Sequence, residues 1–404
     1  MRVQLFRLPL PLAGLLALAV AMGIGRFAFT PILPMMQADL GLSLAEGGWL
    51  ASANYLGYLV GALAAARLSW SAAALLQRGL WLVVLMTAAM GLSGFWSAWL
   101  LWRFLAGVAS AWAMIGTASL CIARLNAAGR AEHGGIVFAG VGCGIAFAGL
   151  VCMMLALGQA SSTQAWLLLA VAAWCGLAGA STLWTSPGTS PVAGAPGPAT
   201  EPAGSPAPPA THAASAQRPP GLHWGLIWCY GVYGFGYILP ATFLPAQARL
   251  LVPDPLLFSL AWPIFGVSSA ASTLIASRLL RRYTRRQVWA GAQIMMAIGV
   301  LMPVWVHNLT AILIAAVCVG SAFMVITMVG LQEAQATVAS ISAKTQIAAM
   351  TASFALGQLV GPLFFSFTHL WFDAGLGLAL VLGALGLIAG AIPILRLNHK
   401  PEAG

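Results

Sequence analysis

The stretch "GIGRFAFTPILP", residues 23–34, sets a guanidinium inside an apolar run, and Arg26 is the only charged residue between Pro9 and Asp39. An arginine at the centre of a bilayer costs roughly 2.5–3.5 kcal/mol on insertion scales, so its retention points to a use. The stretch recurs 211 residues further on as "GFGYILPATFLP" (234–245). Gly23, Gly25, Leu33 and Pro34 fall on Gly234, Gly236, Leu244 and Pro245, and Tyr237 takes the place of Arg26. The same offset lays "SAWAMI" (110–115) on "SAFMVI" (321–326). One offset that joins two separate stretches marks a duplicated unit. Internal repeats are the architecture of many secondary transporters, with the substrate site at the repeat interface near the bilayer midplane.

Composition agrees. Of 404 residues, 60% are hydrophobic and 6% charged, against about 25% charged in a soluble domain. So few charges cannot cover a water-facing surface, and the chain reads as an integral membrane protein. The net charge of +10 does not point to nucleic acid, because the basic residues sit between apolar spans, as in loops that face cytoplasm. The six cysteines all fall in apolar runs without a C-x-x-C pair, and read as small apolar residues rather than disulfides or metal ligands. Arg2, Arg7 and "AVA" (19–21) imitate a signal peptide. The apolar run continues to Leu33, which makes it a first span instead.

A hydrocarbon core about 30 Å thick needs about 20 apolar residues as helix. Twelve segments meet that template: 8–33, 47–66, 74–95, 97–122, 134–157 and 164–184, then 223–247, 257–277, 287–306, 308–332, 345–368 and 373–395. Between the two sets lies a proline-rich stretch that cannot build a core. The expected organisation is therefore an N-terminal six-helix bundle (1–185), a disordered cytoplasmic linker (186–222) and a C-terminal six-helix bundle (223–404). With both termini inside, every Lys and Arg outside the spans faces cytoplasm except Arg249, which is the arrangement the positive-inside bias favours. The expected location is the cell inner membrane, multi-pass.

Several motifs accompany this plan. "RFLAGVASA" (103–111) places a glycine and small residues after Arg103, "GALAAARL" (61–68) follows the second span, "SRLLRRYTRR" (277–286) is its basic counterpart, and "GVGCGIAFAG" (140–149) spaces glycines along the fifth span. Together with the repeat they resemble the major facilitator superfamily over the whole chain apart from the linker. "GIGRFAFTPILPMMQADLGLS" with "GWLASANYLGYLVGAL" resembles its YbfB/YjiJ branch. The resemblance implies an all-α membrane protein of twelve transmembrane helices in two pseudo-symmetric six-helix bundles. Two departures stand out. Ala65 replaces the usual acidic residue of the loop motif, which implies that its charge relay is absent, and the fifth span lacks the proline that marks many drug antiporters.

Arg26 and Arg103 lie within spans at similar depths below one side, where no Asp or Glu is available to pair with them. Arginine's planar fork suits a carboxylate or phosphate. The expected substrate-binding residues are therefore Arg26 and Arg103, with Asn54 and Tyr58 at comparable depth and Tyr237 opposite. Gly61, Arg67, Arg278, Arg282 and Glu333 are candidates for conformational contacts, and Gly107, Gly140, Gly144, Gly357 and Gly361 for close helix packing. The reading is a secondary transporter of a small organic anion, a carboxylate, working by alternating access with protons or a counter-anion. Drug efflux is the alternative, and a membrane sensor or scaffold an alternative of another class. No catalytic cluster, metal site or cofactor motif is found, since the six histidines lie at span ends or in tails. The expected partners are the small-molecule substrate and membrane lipid, with no nucleic acid, and the chain is expected as a monomer.

Overall fold

The computed structural model describes residues 8–185, 222–251, 255–306, 308–338, 340–372 and 376–396. The expected linker lies outside the described residues apart from Leu222, as do Arg2, Arg7, Arg218 and Lys400. Six long helices form the first half: α1 (Leu10–Leu40), α2 (Leu44–Arg67), α3 (Ala72–Leu92), α4 (Trp96–Ala127), α5 (Gly134–Leu157) and α6 (Ser162–Ala180). Six more form the second: α7 (Trp224–Leu251), α8 (Pro255–Leu279), α9 (Arg285–Trp305), α10 (Leu309–Thr337), α11 (Ser340–Phe372) and α12 (Leu376–Arg396). Ten of them are long and apolar enough to cross a membrane, and α7 and α11 have the length to do so at 28 and 33 residues.

Local chemistry sets several helix starts. Ser43 with Glu46, Ser161 with Gln164 and Thr284 with Gln287 close capping boxes at α2, α6 and α9. The outward surface is apolar, with Leu85, Val171 and Leu385 exposed along the spans and Trp49, Trp224 and Trp305 near helix ends. Tryptophan is enriched at that depth because its ring is apolar and its N–H is polar.

Helix α1 departs from its sequence reading in two ways. It does not end near Pro34 but carries that proline inside the helix and continues to Leu40. Membrane helices tolerate such a residue because neighbours satisfy the freed carbonyl. Asp39 lies in the last turn and accepts hydrogen bonds from the backbone N–H and hydroxyl of Ser162 at the start of α6. A carboxylate is favoured there because a helix N-terminus carries partial positive charge. The second departure is internal: residues Ala19–Phe27, with Arg26 among them, form a π-helical segment. Such segments are rare and occur frequently at functional sites.

The two halves repeat one packing scheme. In the first, α4 packs on α2 and α3, α1 on α5, and α3 on α6; in the second, α10 packs on α8 and α9, α7 on α11, and α9 on α12. The halves meet along α5 with α8 and along α2 with α11, two seams that the repeat exchanges. Small residues make the seams close. Gly142 lies against the main chain of Gly266 and Ala270, and Gly135 against Thr273 and Ser277. Thr273 Oγ1 donates across that seam to the Gly135 carbonyl at 3.0 Å.

Within the first half, Gly144 faces the main chain of Ala19 and Gly23, so a Cβ there would collide with backbone that cannot rotate away. Gly291 on α9 has open space around it. Gly144→Leu should therefore lower the thermal unfolding temperature in detergent, by an overpacking cost of about 1–3 kcal/mol, while Gly291→Leu should not. Equal melting of the two variants would mean that this approach does not limit packing.

Candidate functional site

The π-helical segment of α1 is held from α4. Widening the helix leaves carbonyls without their usual partners, and buried carbonyls need donors. Ser110 Oγ on α4 lies 2.8 Å from the carbonyl oxygens of both Ala21 and Ala106 and shares its proton between them. Arg103 Nη2 donates to the Arg26 carbonyl at 3.5 Å. Gly23 and Gly25 let the segment sit this close, one against Gly144 and the other against Val83 and Ser110.

From this segment Arg26 projects into the boundary between the halves and is only 3% exposed. Its Nη2 donates to Oε1 of Gln358 on α11. Its guanidinium lies over the Tyr58 ring, 4.0 Å from the centroid, with Tyr55 at 5.2 Å. Such cation–π contacts contribute about 2 kcal/mol when desolvated. Arg26 Nε and Nη1 have no acceptor among the described residues, and neither donates to a carboxylate. Gln358 Nε2 is likewise buried without an acceptor.

Arg103 is engaged differently. It is 2% exposed, and besides the Arg26 carbonyl it donates through Nε to the Leu50 carbonyl at 3.4 Å. Its guanidinium lies 4.5 Å from the centroid of the Phe29 ring. Asn54 Nδ2 donates to the carbonyl of Arg103 itself at 3.0 Å. Both residues were expected to face a substrate, and the structure turns both toward backbone instead. The reason is local: α2, α4 and the π-helical segment of α1 bring carbonyls together, and these two side chains supply the donors. Gly107 allows this by placing α4 against the main chain of Asn54 and Tyr58.

Five of the six tyrosines gather here. Tyr55 and Tyr58 flank Arg26, while Tyr230, Tyr233 and Tyr237 form one stripe on α7, with successive ring centroids 5.3 and 6.2 Å apart. Tyr237 faces Arg26 across the boundary within electrostatic reach and stacks on Phe323 at 4.3 Å and 13°. The hydrogen-bond partner from the second half is Gln358. A cavity of about 10 Å³ lies between Tyr58, Tyr230, Phe323 and Phe354, with Met22, Met114 and Met324 in its wall. That is the space of about one water molecule, so these side chains pack together without room for a larger ligand. Gln358, Tyr230 and Tyr233 were not picked out from sequence. A lone amide inside "LGQLVGP" and tyrosines spaced by three and four residues are the signals that mark them.

The remaining candidates are distributed as follows. Gly61 lies against Val108, and its carbonyl accepts from Trp112 Nε1 at 3.1 Å. Arg67, Arg278 and Arg282 are exposed. Glu333 is buried and held within its own half by Arg285 (2.8 Å) and Arg286 (2.6 Å). At the arginine-rich end of the α2–α11 seam the cross-half bond comes from Lys344, whose Nζ donates to the carbonyls of Leu68 (2.7 Å) and Trp70 (3.2 Å). A cation at those carbonyls complements the C-terminal end of α2. Gly140 faces the Leu15 carbonyl, Gly357 the main chain of Gly231 and Phe235, and Gly361 the side chain of Ile238. A second, open cavity of about 790 Å³ lies between Glu132, residues 281–284 and the start of α9.

Two related sets of membrane-spanning helices closed around a buried guanidinium define a transporter of the major facilitator kind rather than an enzyme. The chain belongs to the family described as uncharacterised MFS-type transporter YbfB, which matches residues 18–395. Among solved structures it is similar to the human organic anion transporter MFSD10 (TETRAN), with a TM-score of 0.67 over 95% of this chain and 98% of that one, at 13% identity. At that identity the likeness concerns the fold. A comparison with curated protein sequences finds no match.

Arg103→Lys keeps the buried charge but loses the fork that spans two carbonyls. We expect a lower unfolding temperature, corresponding to about 1–2 kcal/mol. Wild-type melting of that variant would show that the fork does not brace the π-helical segment.

Proposed function

We propose that this protein is a secondary transporter that carries a small organic anion, a carboxylate, through the centre of the molecule by alternating access. One observation carries the reading: Arg26, buried between the halves, holds two N–H donors without an acceptor while no carboxylate contacts it among the described residues. Buried, unsatisfied donors on a cation call for an acidic ligand. The printed description of its structural neighbour as an organic anion transporter agrees, by analogy of fold alone.

The same contact suggests how binding is linked to movement. Arg26 belongs to α1 and Gln358 to α11, so the bond between them ties the halves together at the site. A ligand that takes over Arg26 would exchange this contact for its own. Closure elsewhere is carried by Thr273 at the α5–α8 seam and Lys344 at the α2–α11 seam. We place the arginine-rich end in the cytoplasm and the protein in the inner membrane, from the bias of basic residues. The two domains would then be the six-helix halves, joined on the cytoplasmic side. Coupling by counter-anion exchange, or by a proton carried on the substrate, fits a centre without Asp or Glu. The tyrosine-rich wall would also suit an apolar cationic drug, but Arg26 would repel it.

The test is ligand binding and proteoliposome uptake with wild type, Arg26→Lys and Arg26→Gln. Ligand binding raises apparent stability by mass action, so a thermal-shift panel of organic acids and cationic amphiphiles ranks the classes. Arg26→Gln should weaken organic-acid binding on the order of a hundredfold, and Arg26→Lys by about tenfold through loss of the fork. Equal affinity in all three would remove Arg26 from the site and the anion reading with it.

A further inference from the structure

We propose that the anion is a monocarboxylate with an apolar body, aromatic or aliphatic, and not a di- or tricarboxylate. This rests on Arg26 as the anion-binding group and adds the shape and charge of what it binds.

Charge accounting comes first. Two guanidiniums lie at the centre, but Arg103 is committed to the carbonyls of Leu50 and Arg26 and to the face of Phe29. Arg26 keeps Nε and Nη1 buried without an acceptor. A ligand with one carboxylate matches those free donors. A second carboxylate would have to draw Arg103 away from the Leu50 and Arg26 carbonyls that it donates to, and a buried charge left unpaired is strongly disfavoured.

Several neutral polar groups around the site are committed as well. Thr327 Oγ1 lies 2.9 Å from the Phe323 carbonyl, Thr351 Oγ1 lies 2.7 Å from that of Ile347, and Tyr233 donates its hydroxyl to the Phe323 carbonyl at 2.8 Å. Asn54 spends its amide N–H on Arg103. These residues offer few donors to a hydroxylated or multiply charged ligand, and Gln358 Nε2 is a buried donor without an acceptor beside Arg26.

What remains on offer is apolar surface. Phe323 stacks on Tyr237 and meets Phe27 edge-on at 5.7 Å, and the small central cavity runs from Tyr58 to Phe323 and Phe354. Met22, Met114 and Met324 complete its wall. Methionine is unbranched and adapts to irregular shapes, so this wall can yield to a ligand body as the halves part. The carboxylate would take Arg26 on the Tyr58 side, and the body would lie toward Phe323.

The experiment is calorimetric titration of the purified full-length protein at neutral pH with acetate, butyrate, hexanoate, benzoate, succinate and citrate, repeated on Arg26→Gln and Phe323→Ala. Along the alkanoates, affinity should rise by about fourfold for each added CH₂ buried. Benzoate should bind far more tightly than acetate, and succinate at least tenfold more weakly than butyrate. Arg26→Gln should weaken binding of the whole series on the order of a hundredfold. Phe323→Ala should flatten the dependence on body size, lowering hexanoate and benzoate affinity far more than that of acetate, a ratio that general destabilisation does not mimic. If succinate or citrate binds best and does so through Arg26, the monocarboxylate inference is overturned while the anion reading stands. If no acid binds in an Arg26-dependent manner, both fall. A series with no dependence on body size also overturns the inference.

Discussion

A guanidinium in the interior of a membrane protein must be solvated by something other than water, and the organisation around Arg26 follows from that requirement. Tyrosine faces supply part of the electrostatic compensation and one amide oxygen supplies a hydrogen bond. Carboxylates are absent from the central part of every span in the sequence, so full neutralisation within the chain is not available. The amide oxygen comes from the opposite half of the molecule. The electrostatic deficit of one side chain is therefore met partly by closing the two halves, which connects the state of the site to the relation between the bundles.

The second arginine belongs to this scheme through the backbone. A π-helical segment presents Arg26, and such a segment requires outside donors for its displaced carbonyls. Arg103 and Ser110 provide them from α4, and Asn54 ties α2 to α4 at the same level. Glycines at 23, 107 and 144 make the approach close enough for those bonds to form. Close packing, backbone geometry and the position of a charged side chain are thus one arrangement.

The repeat is kept in the packing and broken in the chemistry. Equivalent helices pair in the two halves, and the two seams between halves exchange under the same relation. At the matched position, however, one half contributes Arg26 and the other Tyr237. The first half supplies the charge, and the second an aromatic wall and Gln358. Two equivalent sets of helices therefore enclose a centre with a polar–apolar axis.

Much of this was legible in the sequence, because in lipid every backbone group must be satisfied within its own helix and twelve apolar runs permit few alternatives. The repeat offset, the singular position of Arg26 and the glycine-rich spans are one-dimensional facts. Helix ends were less legible: Pro34 reads as a stop, yet its helix continues to Leu40, since neighbouring elements rather than local propensity decide whether a proline is tolerated. The roles of the two arginines were not separable from sequence. Both sit in apolar runs at similar depth, and only the tertiary arrangement turns Arg103 toward the carbonyls of Leu50 and Arg26 while leaving Arg26 with free donors. The choice of Gln358 rather than Tyr237 as the hydrogen-bond partner across the seam is of the same kind. Sequence determines that a charge must lie among apolar helices; which backbone oxygen or side chain reaches it depends on how helices far apart in the chain cross, because hydrogen bonds form only over about 3 Å.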